Sequence, residues 1–181
     1  YEAIEPILPE KITFIWADDL LKEYPNLTPK ERENLACKKY GAIFIMGIGC
    51  PLSDGSLHDG RAPDYDDWIT KTEDGHVGLN GDLMVWNPVL ETALELSSMG
   101  IRVSPESLNQ QLTARNCLER LNFPFHKSLA EGKLSQTLGG GIGQSRLCMY
   151  FLRKAHIGET QVSIWPSDML DECKKNNILI L

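Results

Sequence analysis

Residues 82–103, DLMVWNPVLETALELSSMGIRV, hold two strand-like runs, DLMVW and ALELSSMGIRV, joined by the turn-forming residues Asn87 and Pro88. Runs this close in sequence pair as antiparallel strands, so the segment predicts a hairpin at the centre of the fold. With a turn centred on Asn87 to Val89, Asp82 faces Glu95 across the pair, about 5.5 Å apart at Cβ and on one side of the sheet. Two carboxylates so placed repel unless one is protonated, both meet water, or a cation lies between them. Mg²⁺ held by one or two carboxylates and nucleotide phosphates is one answer, and an exposed acidic pair on a wet sheet face is the other.

Upstream of the hairpin, Cys50 to Gly81 is rich in Gly, Asp and Pro and has no sustained periodicity. An irregular segment of that length is functional or disordered, and the aromatics Tyr65 and Trp68 argue against disorder. Before it, AIFIMGIG at 42–49 has the continuous apolar character of a strand covered on both faces. Thr28, Pro29 and Glu31 mark a helix start with hydroxyl cap, first-turn proline and glutamate three residues on, and Gly41 ends that helix. The chain opens with a strand at Ile12 to Trp16 and a helix from Ala17, where Asp18 is the expected cap and Pro25 the stop.

Downstream, Ser104 and Pro105 open an amphipathic helix, and a second helical piece covers Pro124 to Gly132. SQTLGGGIGQSRLCMYFLRK passes from a strand through three glycines into a helix, and TQVSIWP reads as a last short strand. Helices flank a mostly antiparallel sheet, an α+β architecture expected to form a single domain over residues 1–181.

The net charge of −7, from 18 Lys+Arg against 25 Asp+Glu, comes with no basic run or basic–aromatic stripe, so no nucleic-acid partner is expected. No apolar stretch reaches membrane-spanning length. Five scattered cysteines, none in C-x-x-C spacing, point to reduced thiols and a soluble cytoplasmic protein. The start at Tyr1, in YEAIEPILPEK, reads like the middle of a longer polypeptide.

GGGIGQSRL, residues 139–147, places a glycine run before a helix whose first amides are free to meet an anion, with Arg146 about one turn in. Close strand–helix packing explains the same glycines. RAPDYDDW, residues 61–68, puts three carboxylates beside one guanidinium within that long irregular segment. His58 and His76, near Asp54 and Asp59, lack the i, i+4 partners or cysteine neighbours of a zinc site and are read as hydrogen-bonded loop histidines.

In order, DLMVWN, ELSSMGIRV and GGGIGQSRL resemble the C-terminal half of the class II aminoacyl-tRNA synthetase catalytic core. Together with RAPDYDDW and GHVGLNGDLMVWNPVLE, they resemble most closely the AMP-forming aspartate–ammonia ligases, over about Ile12 to Trp165. The resemblance implies ATP-dependent conversion of L-aspartate and ammonia to asparagine through a β-aspartyl-adenylate, with release of pyrophosphate and then AMP. It implies Mg²⁺ on Asp82 and Glu95, ATP against Asp82, Glu95, Gly141 and Arg146, and aspartate or ammonia against Arg61, Tyr65, Asp66, Ser98, Arg102 and Gly139. Asp66, facing the amino group or the incoming ammonium, and Arg146 are the implied catalytic residues, while Asp64 and Asp67 are read as structural.

Glu95 and Arg102 are seven apart and would face opposite sides of an unbroken strand, so SSMG must contain a bulge or bend for both to reach one pocket. The family also implies a homodimer and a further N-terminal half that this chain lacks, which carries the first two class II signatures. Two other readings share the fold. One is an aspartyl-tRNA synthetase-like adenylate-forming enzyme, disfavoured by the acidic surface. The other is a non-catalytic class II paralogue that binds amino acid or nucleotide, disfavoured by the intact Asp82, Glu95, Arg102 and Arg146.

Overall fold

The hairpin pairs as expected in kind but not in register. In the computed structural model, which describes residues 7–181, strand β3 (Asn80–Asn87) pairs antiparallel with β4 (Thr92–Ile101). The turn is longer than a centre at Asn87 to Val89 implies. Asn87 Oδ1 accepts from the amides of Val89 at 3.0 Å and Leu90 at 3.3 Å, so Asn87 meets Thr92 across a four-residue loop. A register shift follows, with Glu95 opposite Met84 and Ser97 opposite Leu83, which leaves Leu96 as an extra residue. Asp82 therefore faces Ser98, not Glu95.

The extra residue supplies the bend that the seven-residue spacing demanded. It lies at Leu96, just before SSMG, and re-phases the alternation so that Glu95, Ser98, Gly100 and Arg102 share one face. Leu96 itself is buried with Ala42, Val85 and Tyr150. A bulge with its odd residue anchored in a core cannot slide along the ladder.

Three more strands complete a five-stranded sheet in sequence order. β1 (Thr13–Trp16) runs parallel to β2 (Ala42–Met46), β2 antiparallel to β3, and β4 antiparallel to β5 (Leu138–Ile142). Between β1 and β2 come helices α1 (Ala17–Glu23) and α2 (Pro29–Tyr40). Thr28 and Glu31 form the reciprocal box at the start of α2, and Gly41, with φ of 76°, ends it. Asp18 is not the cap of α1. Trp16 occupies that position, and Asp18 instead accepts from the Ser53 amide at 2.7 Å, pinning the long segment to the helix. The α1–α2 pair buries Leu20, Leu21, Ala36 and Cys37 against Ile43, Ile45 and Met84.

After β4 come α3 (Pro105–Ala114), capped by Ser104, a 3₁₀ turn over Leu118–Asn122, and α4 (Pro124–Ala130). Their core is Val103, Leu108, Leu112, Cys117 and Leu129. The three glycines lie inside β5 rather than beyond its end, and α5 (Gln144–Phe151) follows at once. TQVSIWP does not form a strand, and Ile164 is 97% exposed. A strand needs a neighbour's edge to pair with, and among the described residues no strand of the sheet pairs with this segment. A last helix, α6, spans Ser167–Lys175.

β2 is fully covered on one side and only at its Ala42 end on the other. Ile43 and Ile45 are fully buried, whereas Phe44 and Met46 are half-buried and line an apolar hollow of about 530 Å³ with Leu79, Met99, Leu138 and Ile142. The cysteines are all free, with Cys37, Cys117 and Cys173 buried and Cys148 exposed. Among the described residues no helix is long and apolar enough to cross a membrane.

Candidate functional site

The functional candidates gather on the face of β3, β4 and β5 that the Leu96 bulge brings into phase. One rung reads Asp82, Ser98, Gly141 across three strands, and the next reads Asn80, Gly100, Gly139. Small residues leave the floor low. A Cβ on Gly141 would meet nothing within 4 Å, so that rung opens into space. On Gly139 it would lie 2.9 Å from Arg102 Nη2, and on Gly100 3.1 Å from Asp66 Cγ. Arg102 and Asp66 therefore rest directly on bare backbone.

The wall is RAPDYDDW, which is neither disordered nor a solvated loop. Its main chain is sewn to β4: Asp67 N donates to Ile101 O at 2.9 Å and Val103 N to Tyr65 O at 3.0 Å, and Asp66 bridges to Arg102. Each acid then has its own partner. Asp66, 4% exposed, pairs with the Arg102 guanidinium, which also stacks 3.9 Å over the Tyr65 ring and donates to Tyr65 Oη at 3.2 Å. Tyr65 is open to solvent, as a pocket wall is, whereas Trp68 is buried core and donates from Nε1 to Ala62 O. Asp64 accepts from Arg120 at 2.8 Å and lies 2.9 Å from His126 Nε2. Those two bonds hold its carboxyl below the usual range against the burial that would raise it. Asp67 caps a turn by accepting from Ile69 N, Thr70 N and Thr70 Oγ1. Asp64 and Asp67 thus serve the loop's own structure.

Arg61 pairs with Asp82 and lies 3.5 Å from Asp59. Asp82 is 6% exposed, and its second oxygen, Oδ1, is buried without a hydrogen-bond partner. A buried carboxylate oxygen with no donor is costly, and a divalent cation is a partner that relieves it. Glu95, diagonally placed on the same face, has Oε2 3.4 Å from Arg146 Nη1, and the same nitrogen donates to Glu95 O at 3.3 Å. Asp82, Glu95 and Arg146 line one cavity of about 450 Å³, together with Lys30 and His58. Among the described residues no group of three His, Cys, Asp or Glu side chains is arranged around a metal. Two acids suit an ion completed by phosphate oxygens and water, the usual state of Mg²⁺ at a nucleotide.

Of the two histidines read as hydrogen-bonded loop residues, the ring of His58 makes such a bond, whereas His76 Nδ1 is buried with no hydrogen-bond partner. His58 Nε2 lies 3.0 Å from Glu33 Oε1, and that bond together with the Lys30 charge keeps the Glu33 carboxyl below its ordinary value despite burial. His76 stacks on Trp16 at 4.3 Å and lies between Asp19 and Asp74. Sequence reading missed Gln111, Arg120 and His126, which hold the wall from α3, the 3₁₀ turn and α4. Gln111 left one signal: it falls between Leu108 and Leu112 on the apolar stripe of its helix.

A mostly antiparallel sheet with acids and a helix-borne arginine on one face gives the chain the fold of the class II aminoacyl-tRNA synthetase core. Asparaginyl-tRNA synthetase from Pyrococcus horikoshii superposes on 87% of the chain and 38% of its own length with a TM-score of 0.60 at 14% identity. Aspartyl-tRNA synthetase from Entamoeba histolytica does so over 87% and 32%, with a TM-score of 0.58 at 15% identity. The likeness to these two is one of fold. A sequence profile of the aspartate–ammonia ligase family matches residues 1–177, and the chain belongs to that family. Curated aspartate–ammonia ligases of Parabacteroides distasonis and Bacteroides thetaiotaomicron are each 56% identical to it over 181 residues, all of this chain and 52% of theirs. The chain thus spans about half the length of the curated relatives it matches.

Proposed function

We propose that this chain forms the larger part of the substrate site in an enzyme that makes L-asparagine from L-aspartate, ammonia and ATP. The observation that carries the proposal is the 56% identity, over the entire chain, to relatives named for that reaction. The arrangement of charge supports it. Aspartate brings two carboxylates and one ammonium, and the wall and floor offer Arg61 and Arg102 beside Asp66 within one patch. Arg102 takes a substrate carboxylate, since a planar guanidinium matches it with two parallel donors. Arg61, freed from Asp82 when that acid turns to the nucleotide, takes the other.

The aspartate side-chain carboxylate attacks the α-phosphorus of ATP, the bond to pyrophosphate breaks, and a β-aspartyl-adenylate remains. Asp82 and Glu95 would hold Mg²⁺, which when bound neutralises charge on the phosphates. Arg146, at the N-terminal turn of α5, stabilises the negative charge that grows on the leaving pyrophosphate. Gly141 lets the nucleotide lie against bare backbone, with Ser98 as the hydroxyl on the same rung. Gly139 gives Arg102 its seat. Ammonium must lose a proton before it can attack the acyl carbon and expel AMP, and Asp66 is the carboxylate placed to take it.

The remaining half of the relatives' length completes the α-phosphate grip, and the enzyme works as a homodimer in the cytoplasm, where thiols such as these five stay reduced. The intact enzyme, given aspartate, ATP and Mg²⁺ without tRNA, is expected to release AMP and asparagine only when ammonium is added. AMP release that needs tRNA, or ignores ammonium, refutes the proposal. Asp66→Asn is expected to depress amide formation more than aspartate-dependent ATP–pyrophosphate exchange, and an equal loss of both excludes Asp66 as the proton acceptor.

A further inference from the structure

A substrate wall that must present Asp66 and Arg61 at set positions needs its own backbone held, and one side chain outside the site takes a large share of that task. Gln111 of α3 is 0% exposed. Its Nε2 donates to Pro63 O at 2.9 Å and to Asp66 O at 3.1 Å, and its Oε1 accepts from Trp68 N at 2.7 Å. One planar amide thus binds three points of RAPDYDDW, among them the main chain of Asp66 itself. Two carbonyls and one N–H facing it define which end is oxygen and which nitrogen, and of the uncharged side chains of this reach only an amide offers two donors and an acceptor in one plane. The rest of the wall is tied to β4 by backbone bonds and to Arg120 and His126 through Asp64, and Gln111 ties the main chain at Pro63, Asp66 and Trp68 to α3.

We infer that Gln111 is a positioning residue for the amino-acid pocket, fixing the wall that carries Arg61, Tyr65 and Asp66 while leaving the nucleotide side untouched. The inference rests on the proposed aspartate–ammonia ligase reading and deepens it. The nucleotide side is built from β3, β4, β5 and α5, none of which Gln111 contacts through a hydrogen bond.

The test is steady-state kinetics on the intact enzyme with Gln111→Met, which preserves length and removes all three bonds. Leu112→Ala serves as the comparison: Leu112 neighbours Gln111 on α3, is fully buried, and belongs to the Leu108 core rather than to the wall. Gln111→Met is expected to raise KM for aspartate roughly 10- to 100-fold, the cost of a misplaced pocket, with KM for ATP within about twofold of wild type. Leu112→Ala is expected to lower the melting temperature and leave both KM values near wild type. Should Gln111→Met not accumulate as folded protein, Gln111→Asn, with the amide on a shorter stem, gives the same readout. Equal changes in the two KM values, or no change beyond that of Leu112→Ala, overturn the inference and leave the ligase reading standing. A wild-type enzyme whose AMP release ignores ammonium overturns the ligase reading and this inference with it.

Discussion

Adding one methyl group to β5 should separate the proposed amino-acid pocket from the proposed nucleotide pocket. A Cβ at Gly139 would stand 2.9 Å from Arg102 Nη2 and 3.5 Å from its Cζ. Ordinary contact begins about 0.5 Å further out, so Gly139→Ala must push the guanidinium off its seat. Gly139 is not among the glycines with positive φ, so alanine adds no backbone strain, and the fold should survive. What shifts is the ion pair with Asp66, the 3.2 Å bond to Tyr65 Oη and the stacking at 3.9 Å. Hydrogen bonds to charged groups are worth about 1.5–3 kcal/mol. Losing one such bond to the substrate corresponds to a roughly 10- to 150-fold rise in KM for aspartate. Aspartate-dependent ATP–pyrophosphate exchange on the intact enzyme reads this directly, with KM for ATP expected within about twofold of wild type. The companion Gly141→Ala meets nothing within 4 Å and should instead raise KM for ATP, by filling the bay on the Ser98 rung. An aspartate KM unchanged by Gly139→Ala, while Arg102→Lys raises it, would falsify the placement of Arg102 over bare backbone.

Two further outcomes follow from the charges. Mg²⁺ at tenfold its dissociation constant should stabilise the protein by about 1.4 kcal/mol, read as a rise in melting temperature. Asp82→Asn should abolish that rise, and an equal response in both proteins would show that the ion binds elsewhere. Acid should unfold the protein partly through Asp18, which sits at about 2 when folded against an ordinary 3.8. Burial works against that shift, and the bonds from Lys22 and Ser53 outweigh it. A lowered folded value means that the stabilisation is complete above about pH 4 and is lost as pH falls toward 2. With the side chain 27% exposed, solvent screening reduces it to about 1 kcal/mol. Asp18→Asn should flatten the stability profile between pH 4 and pH 2, as followed by urea denaturation.

Much of this protein was legible in the chain because its signals are local. Thr28, Pro29 and Glu31 contain their own helix start, Gly41 its stop, and the apolar runs around Asn87 and Pro88 their hairpin. The seven-residue spacing of Glu95 and Arg102 demanded a bulge before any coordinate showed one. Its position was not legible. A register depends on loop geometry and on which residue the far side can bury, and the cluster of Ala42, Val85 and Tyr150 took Leu96. The Asp82–Glu95 pairing failed for that reason, and TQVSIWP failed as a strand because its own apolar pattern cannot supply the pairing partner that a strand needs, and the sheet pairs none with it.

The site divides along the same line. The charged candidates came from the family resemblance that those short motifs carry, and the structure gathers Asp66, Asp82, Glu95, Arg102 and Arg146 around one face of the sheet. Only the tertiary structure decided the pairings, Arg61 with Asp82 and Arg102 with Asp66, and assigned Gln111 of a distant helix to hold the wall. Residue type and spacing are properties of a segment, whereas a partner 21 to 48 positions away exists only after β4 has bent at Leu96 and α3 has packed against the loop.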